Sequence, residues 1–133
     1  MARPTTKLEG IERAAMQLFS RYGLAKVTIR DIAQKAHCAE GALYRHYDSK
    51  EKMAWILFSR EMGRFGERLR GVLQGSGTWT ERIPKAVRIF YHFYDEDPVT
   101  FRFILLTQHD FPEAKPIPED INPNDLVMRF IRE

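Results

Sequence analysis

Two short helix-forming stretches stand almost back to back near the N-terminus, and their spacing constrains the chain more than any other feature. Thr28-Ile29-Arg30-Asp31 opens the first. A hydroxyl residue followed three positions later by a carboxylate is a capping box, in which each side chain accepts the other residue's backbone N–H. Ile29, Ile32, Ala33 and Ala36 recur at helical spacing and predict its buried side. Only His37 and Cys38 follow before a second short helix, expected over residues 39–45 with Leu43 facing inward. A short capped helix, a tight turn and a second short helix fit a helix-turn-helix. In that motif the second helix lies in a DNA major groove with its N-terminal residues at base edges, while the first holds the backbone.

The surrounding sequence is helical almost throughout. Ile11, Ala14, Ala15, Leu18, Phe19 and Tyr22 form one apolar face, and Gly23 is placed to end that helix. Asp48 or Ser49 caps a long fourth helix reaching about Gln74, with Met53, Ile56, Leu57, Phe65, Leu69 and Val72 on its apolar side. Gly75-Ser76-Gly77 breaks it. Thr78-Trp79-Thr80-Glu81 is another capping box, opening a fifth helix to about Tyr94. Asp97 and Pro98 start a sixth to about Gln108, and residues 111–121 read as a proline-bearing loop. A seventh helix begins near Asn122-Pro123. No strand pattern or repeat stands out, so the expected class is all-α.

Charge divides along the chain. Residues 1–52 hold ten Lys/Arg and six Asp/Glu, whereas residues 95–133 hold four and nine. A polyanion would therefore meet the front half. The single Cys38 excludes an internal disulfide and a multi-cysteine zinc site. It reads as a small packed turn residue. No run of about eighteen apolar residues and no apolar leader is present, which predicts a cytoplasmic protein. His92, His109 and Asp110 offer metal donors only from separate helices, so no metal or other cofactor is expected.

Over roughly residues 5–60 the sequence resembles the TetR family of bacterial transcriptional regulators. Ile11, Ala14-Ala15, Leu18-Phe19, Gly23, Val27 through Ala33, Ala36, Gly41, Leu43-Tyr44, His46-Tyr47 and Ser49-Lys50-Glu51 carry the resemblance. It implies a three-helix DNA-binding head over 1–48 and a helical ligand-sensing and dimerisation domain over 49–133. It also implies DNA contacts at Thr28, Arg30, Ala39, Glu40, Gly41, Ala42, Tyr44, Arg45, His46 and Lys50. Thr28 matches a cap whose hydroxyl and amide meet a phosphate, and Lys50 matches a phosphate contact. Tyr44 and His46 match sugar-phosphate contacts, whereas Tyr47 is expected in the core. Arg3 and Lys7 offer an arm toward the duplex.

The sequence departs from the family pattern at three places. His37 stands where the turn usually has glycine. Ala39 replaces the hydroxyl cap of the recognition helix, and Ala42 replaces a threonine. Base reading then shifts toward Glu40, Arg45 and the Ala42 methyl.

The second half is rich in aromatics. These residues suit a packed core, or an apolar effector pocket using Phe90, Phe93, Tyr94, Phe103, Gln108 and His109. The resemblance favours the pocket and implies a ligand-responsive repressor that binds a near-palindromic operator as a homodimer. Family members usually continue through two further helices, so an incomplete sensor domain is expected, or a dimer built through another surface. The alternative function is a helical small-molecule-binding or interaction protein with weakened DNA binding, which Ala39 and Ala42 favour. No catalytic constellation is evident.

Overall fold

The computed structural model describes residues 6–111 and 122–132. Seven helices form among them, with no strand: α1 (Lys7–Tyr22), α2 (Ile29–Lys35), α3 (Glu40–Tyr44), α4 (Lys50–Leu73), α5 (Trp79–Glu96), α6 (Pro98–Thr107) and α7 (Pro123–Arg132). The Arg3 part of the expected arm and the proline-bearing loop over 112–121 lie outside the described residues.

Local chemistry sets the helix ends. Thr6 caps α1 by accepting from the Glu9 N–H at 3.1 Å. Gly23 stops α1 with φ of 85°, and its N–H donates to the Phe19 carbonyl at 2.9 Å. That backbone conformation strains any residue with a Cβ. Thr78 and Glu81 form the expected capping box at the start of α5. This helix runs two residues beyond Tyr94, to Glu96, and carries Pro84 inside it. Proline there lacks the N–H that would meet the Thr80 carbonyl, which removes one helical hydrogen bond. Among the described residues no helix is long and apolar enough to cross a membrane.

Two compact units emerge. The first holds the described residues through Phe58 together with Val99 to Phe111; the second holds Ser59–Pro98 and residues 122–132. Thus α6 is mostly a part of the first unit. The physical reason is its buried face. Phe103 and Ile104 are 0% and 4% exposed. The Phe103 ring lies 6.3 Å from Phe19 and meets Phe58 edge-on at 6.5 Å. Thr100 lies against the Met16 sulfur at 3.8 Å. The three-helix head thus closes its core with a fourth element drawn from far along the chain. Ile11, Ala15, Ile32, Leu43 and Leu57 complete that core, and Tyr47 joins it as expected.

The second unit packs around aromatic and aliphatic side chains of α4, α5 and α7. Phe65 meets Phe90 edge-on at 4.9 Å and Phe93 at 5.2 Å. The Arg82 guanidinium stacks 4.8 Å over Phe130 and donates to the Leu73 carbonyl at 2.6 Å. Leu69 and Leu126 are also buried in this unit.

Candidate nucleic-acid interface

The site is built on α2 and α3. Helix α2 packs against both α1 and α3. Ile32 and Ala33 are the buried residues of α2, and Leu43 is that of α3. Burying these three side chains removes enough apolar surface to hold two helices too short to persist alone.

Thr28 presents the start of α2 in extended backbone, with φ of −110°. Its Oγ1 accepts from the Asp31 N–H at 3.1 Å. Its own N–H donates to Asp31 Oδ2 at 3.0 Å. The Thr28 amide is therefore occupied by Asp31. The Thr28 N–H donated to its carboxylate, and next the Thr28 hydroxyl beside it, hold the Asp31 carboxyl below its ordinary value of 3.8. Arg30, one residue into the helix, is exposed.

The turn into α3 contains a positive φ: His37 sits at 56°. The His37 N–H donates to Gln34, and the Cys38 N–H to Ala33 at 3.0 Å. Cys38 is a free, half-buried thiol. Ala39 takes the N-cap position of α3 with no side-chain hydrogen bond, as its methyl group requires.

Helical geometry places Gly41 and Arg45 about 160° around the axis from the buried Leu43. A Cβ built on Gly41 would meet nothing within 4 Å. Packing inside the chain therefore gives no reason for glycine there. Glu40, Tyr44, Arg45 and His46 are exposed, Tyr44 at 55%, and Ala42 is half-buried. The apolar Tyr44 ring is thus offered to solvent, while Tyr47 is 7% exposed.

Lys50 is placed differently from its neighbours in the motif. It opens α4, but its ammonium donates to the Leu24 carbonyl at 2.9 Å and the Ala25 carbonyl at 3.1 Å. Only 20% of the side chain is exposed. The resemblance implied a phosphate contact; here the cation holds the loop between α1 and α2. Beside α2 the surface opens into a groove of about 620 Å³ bordered by Tyr22, Lys26, Asp31 and Lys35. Its two lysines were not anticipated, because charged residues flanking a short helix carry no pattern of their own.

The residues expected to line an effector pocket fall in both units. In the second, Phe93 is buried, while Phe90 and Tyr94 share an exposed stripe of α5 with Ile83 and Val87. In the first, Gln108 Nε2 donates to the Leu105 carbonyl at 3.1 Å and His109 is exposed. Phe103 is a fully buried core residue of the first unit. Among the described residues no group of three or more His, Cys, Asp or Glu is placed to hold a metal ion.

Two short helices locked through Ile32, Ala33 and Leu43, with an exposed cap on one and an exposed outer face on the other, define a helix-turn-helix head. Residues 11–54 match the family model of bacterial regulatory proteins, tetR family. The chain is similar to the fatty acid metabolism regulator protein of Bacillus subtilis, at 29% identity over 70% of this chain and 47% of that protein. Over a shorter stretch, 29% of this chain and 19% of the relative, it is 51% identical to the HTH-type transcriptional repressor KstR2 of Rhodococcus jostii. A solved TetR-family transcriptional regulator from Bordetella parapertussis superposes with a TM-score of 0.66 at 27% identity, covering 98% of this chain and 62% of that one. The chain spans about half or less of the length of the two relatives matched by sequence.

Proposed function

We propose that the chain is a transcriptional repressor that binds duplex DNA through residues 1–48 and acts by binding rather than catalysis. The observation that carries the reading is Gly41. It stands at the outer face of α3 with open space where a Cβ would go, at a position where glycine weakens the helix. A surface that gains nothing from glycine internally is suited to close approach by an external partner. Around it, Thr28 and Arg30 on α2 and Glu40, Ala42, Tyr44, Arg45 and His46 on α3 supply the contacts, with Ala39 at the entry to α3.

In this reading the recognition helix reads bases in the major groove. Two copies of the head, in a homodimer, read the half-sites of a near-palindromic operator. Residues 49–133 form the regulatory part, in which aromatic side chains take up a small apolar or aromatic effector. The cytoplasm is the compartment where such a protein meets DNA.

A salt titration tests the reading. Affinity for mixed-sequence duplex should fall steeply as salt rises, because each neutralised phosphate releases counterions. Absence of duplex binding at low salt would refute it and leave the rival reading, an effector-binding helical protein whose head no longer reads DNA. Ala39, which cannot cap α3, is the observation behind that rival.

A further inference from the structure

The loop between α1 and α2 is held from two sides by charged side chains distant in sequence. From the start of α4, the Lys50 ammonium donates to the carbonyls of Leu24 and Ala25. From just beyond α6, Asp110 Oδ2 accepts the Leu24 N–H at 3.4 Å. Both polar groups of Leu24 are thus taken by side chains. The loop enters α2 through Val27, which is 2% exposed, and Thr28 follows directly.

Neither side chain is loosely placed. Asp110 donates its own N–H to the Thr107 carbonyl at 2.9 Å. The next residue, Phe111, packs its ring 5.3 Å from Trp55 and 5.0 Å from Phe58. Phe103, on the preceding α6, is fixed in the core by Phe19 and Phe58. Lys50 is four-fifths buried and lies 3.9 Å from Glu51. An ammonium withdrawn from water in this way is committed to the carbonyls it meets, because leaving it unpaired would be unfavourable.

We propose that Lys50 and Asp110 are positioning residues: together they clamp the Leu24–Ala25 segment and so fix where Thr28 and Arg30 are presented to DNA. The inference rests on the DNA-binding reading above. It assigns Lys50 a role other than a phosphate contact, and it gives Asp110 a role in binding a polyanion that its own charge would repel.

That opposition of sign supplies the test. The whole chain is titrated with mixed-sequence duplex DNA at several salt concentrations. A direct phosphate contact by Lys50 would contribute about 0.9 to the salt slope, and Lys50→Met would remove it. A positioning role leaves the slope in place and lowers affinity at every salt, on the order of tenfold. Lys50→Arg, which keeps two donors for the carbonyls, should restore binding. Asp110→Ala removes a negative charge and should tighten binding if the charge alone matters; the clamp predicts weaker binding. Asp110→Asn keeps an acceptor oxygen and should recover the loss. Thermal melts of each variant separate weakened binding from unfolding.

The Leu24 amide resonance is read without DNA. It should shift in Asp110→Ala and return toward the wild-type position in Asp110→Asn. An unmoved Leu24 resonance, wild-type or tighter binding by Asp110→Ala, or loss of about one unit of salt slope in Lys50→Met overturns the proposal. If the wild-type chain binds no duplex, the DNA-binding reading has failed. The clamp itself is then still judged by the Leu24 resonance.

Discussion

Thr28 and Asp31 exchange backbone-to-side-chain hydrogen bonds of 3.1 and 3.0 Å across the first turn of α2. The Thr28 N–H donated to the carboxylate stabilises its ionised form, so the folded value for Asp31 lies below 3.8. A depressed carboxyl contributes stability that is present above its unfolded value and is lost as pH falls through the folded one. An NMR titration should place the Asp31 midpoint below 3.8. The stability advantage over Asp31→Asn should hold above that pH and fade below it. Thr28→Ala removes the hydroxyl cap and should cost about 1 kcal/mol in urea unfolding.

Gly41→Ala separates folding from binding. Open space at the Cβ position means that alanine fits without a clash. Alanine favours a helix over glycine by about 0.5–1 kcal/mol, so the variant should melt higher. If the outer face of α3 approaches DNA closely, the same methyl should weaken duplex binding several-fold. A variant that is more stable and binds at wild-type strength would remove the main support for that interface.

His37 occupies the left-handed region with φ of 56°. A side chain there is disfavoured by roughly 1–2 kcal/mol, which glycine avoids. His37→Gly should therefore raise the unfolding free energy by about 1 kcal/mol, after glycine's own entropy loss offsets part of the gain. His37→Val should lower it, since a β-branched residue tolerates this conformation poorly. Denaturant midpoints of the two variants, moving in opposite directions, would confirm that the turn is strained.

Phe103 belongs to the core between Phe19 and Phe58. Phe103→Ala should destabilise the chain by about 3–5 kcal/mol, the range for emptying a buried aromatic site. A loss below about 1 kcal/mol in equilibrium unfolding would mean that the ring borders a space already open to solvent or ligand.

Much of this protein was legible in its sequence because the signals are local. A capping box needs only residues three apart, which is why Thr28 with Asp31 and Thr78 with Glu81 could be assigned in advance. Helical spacing likewise marked Leu43 as the inward residue of α3, and the positive φ at His37 falls where the resembled family usually has glycine. The helix-turn-helix was determined at this level.

Tertiary structure decided what lies between distant residues. Phe103 has the same helical spacing whether it fills a core or lines a pocket, and only its packing against Phe19 identifies it as core. Lys50 sits where its position in the motif suggests a phosphate, but the carbonyls of Leu24 and Ala25 take its ammonium. Asp110 reaches Leu24 across 86 residues. Periodicity records which face of a helix is buried, not which surface covers it; that is settled when apolar area and buried charges find partners in three dimensions.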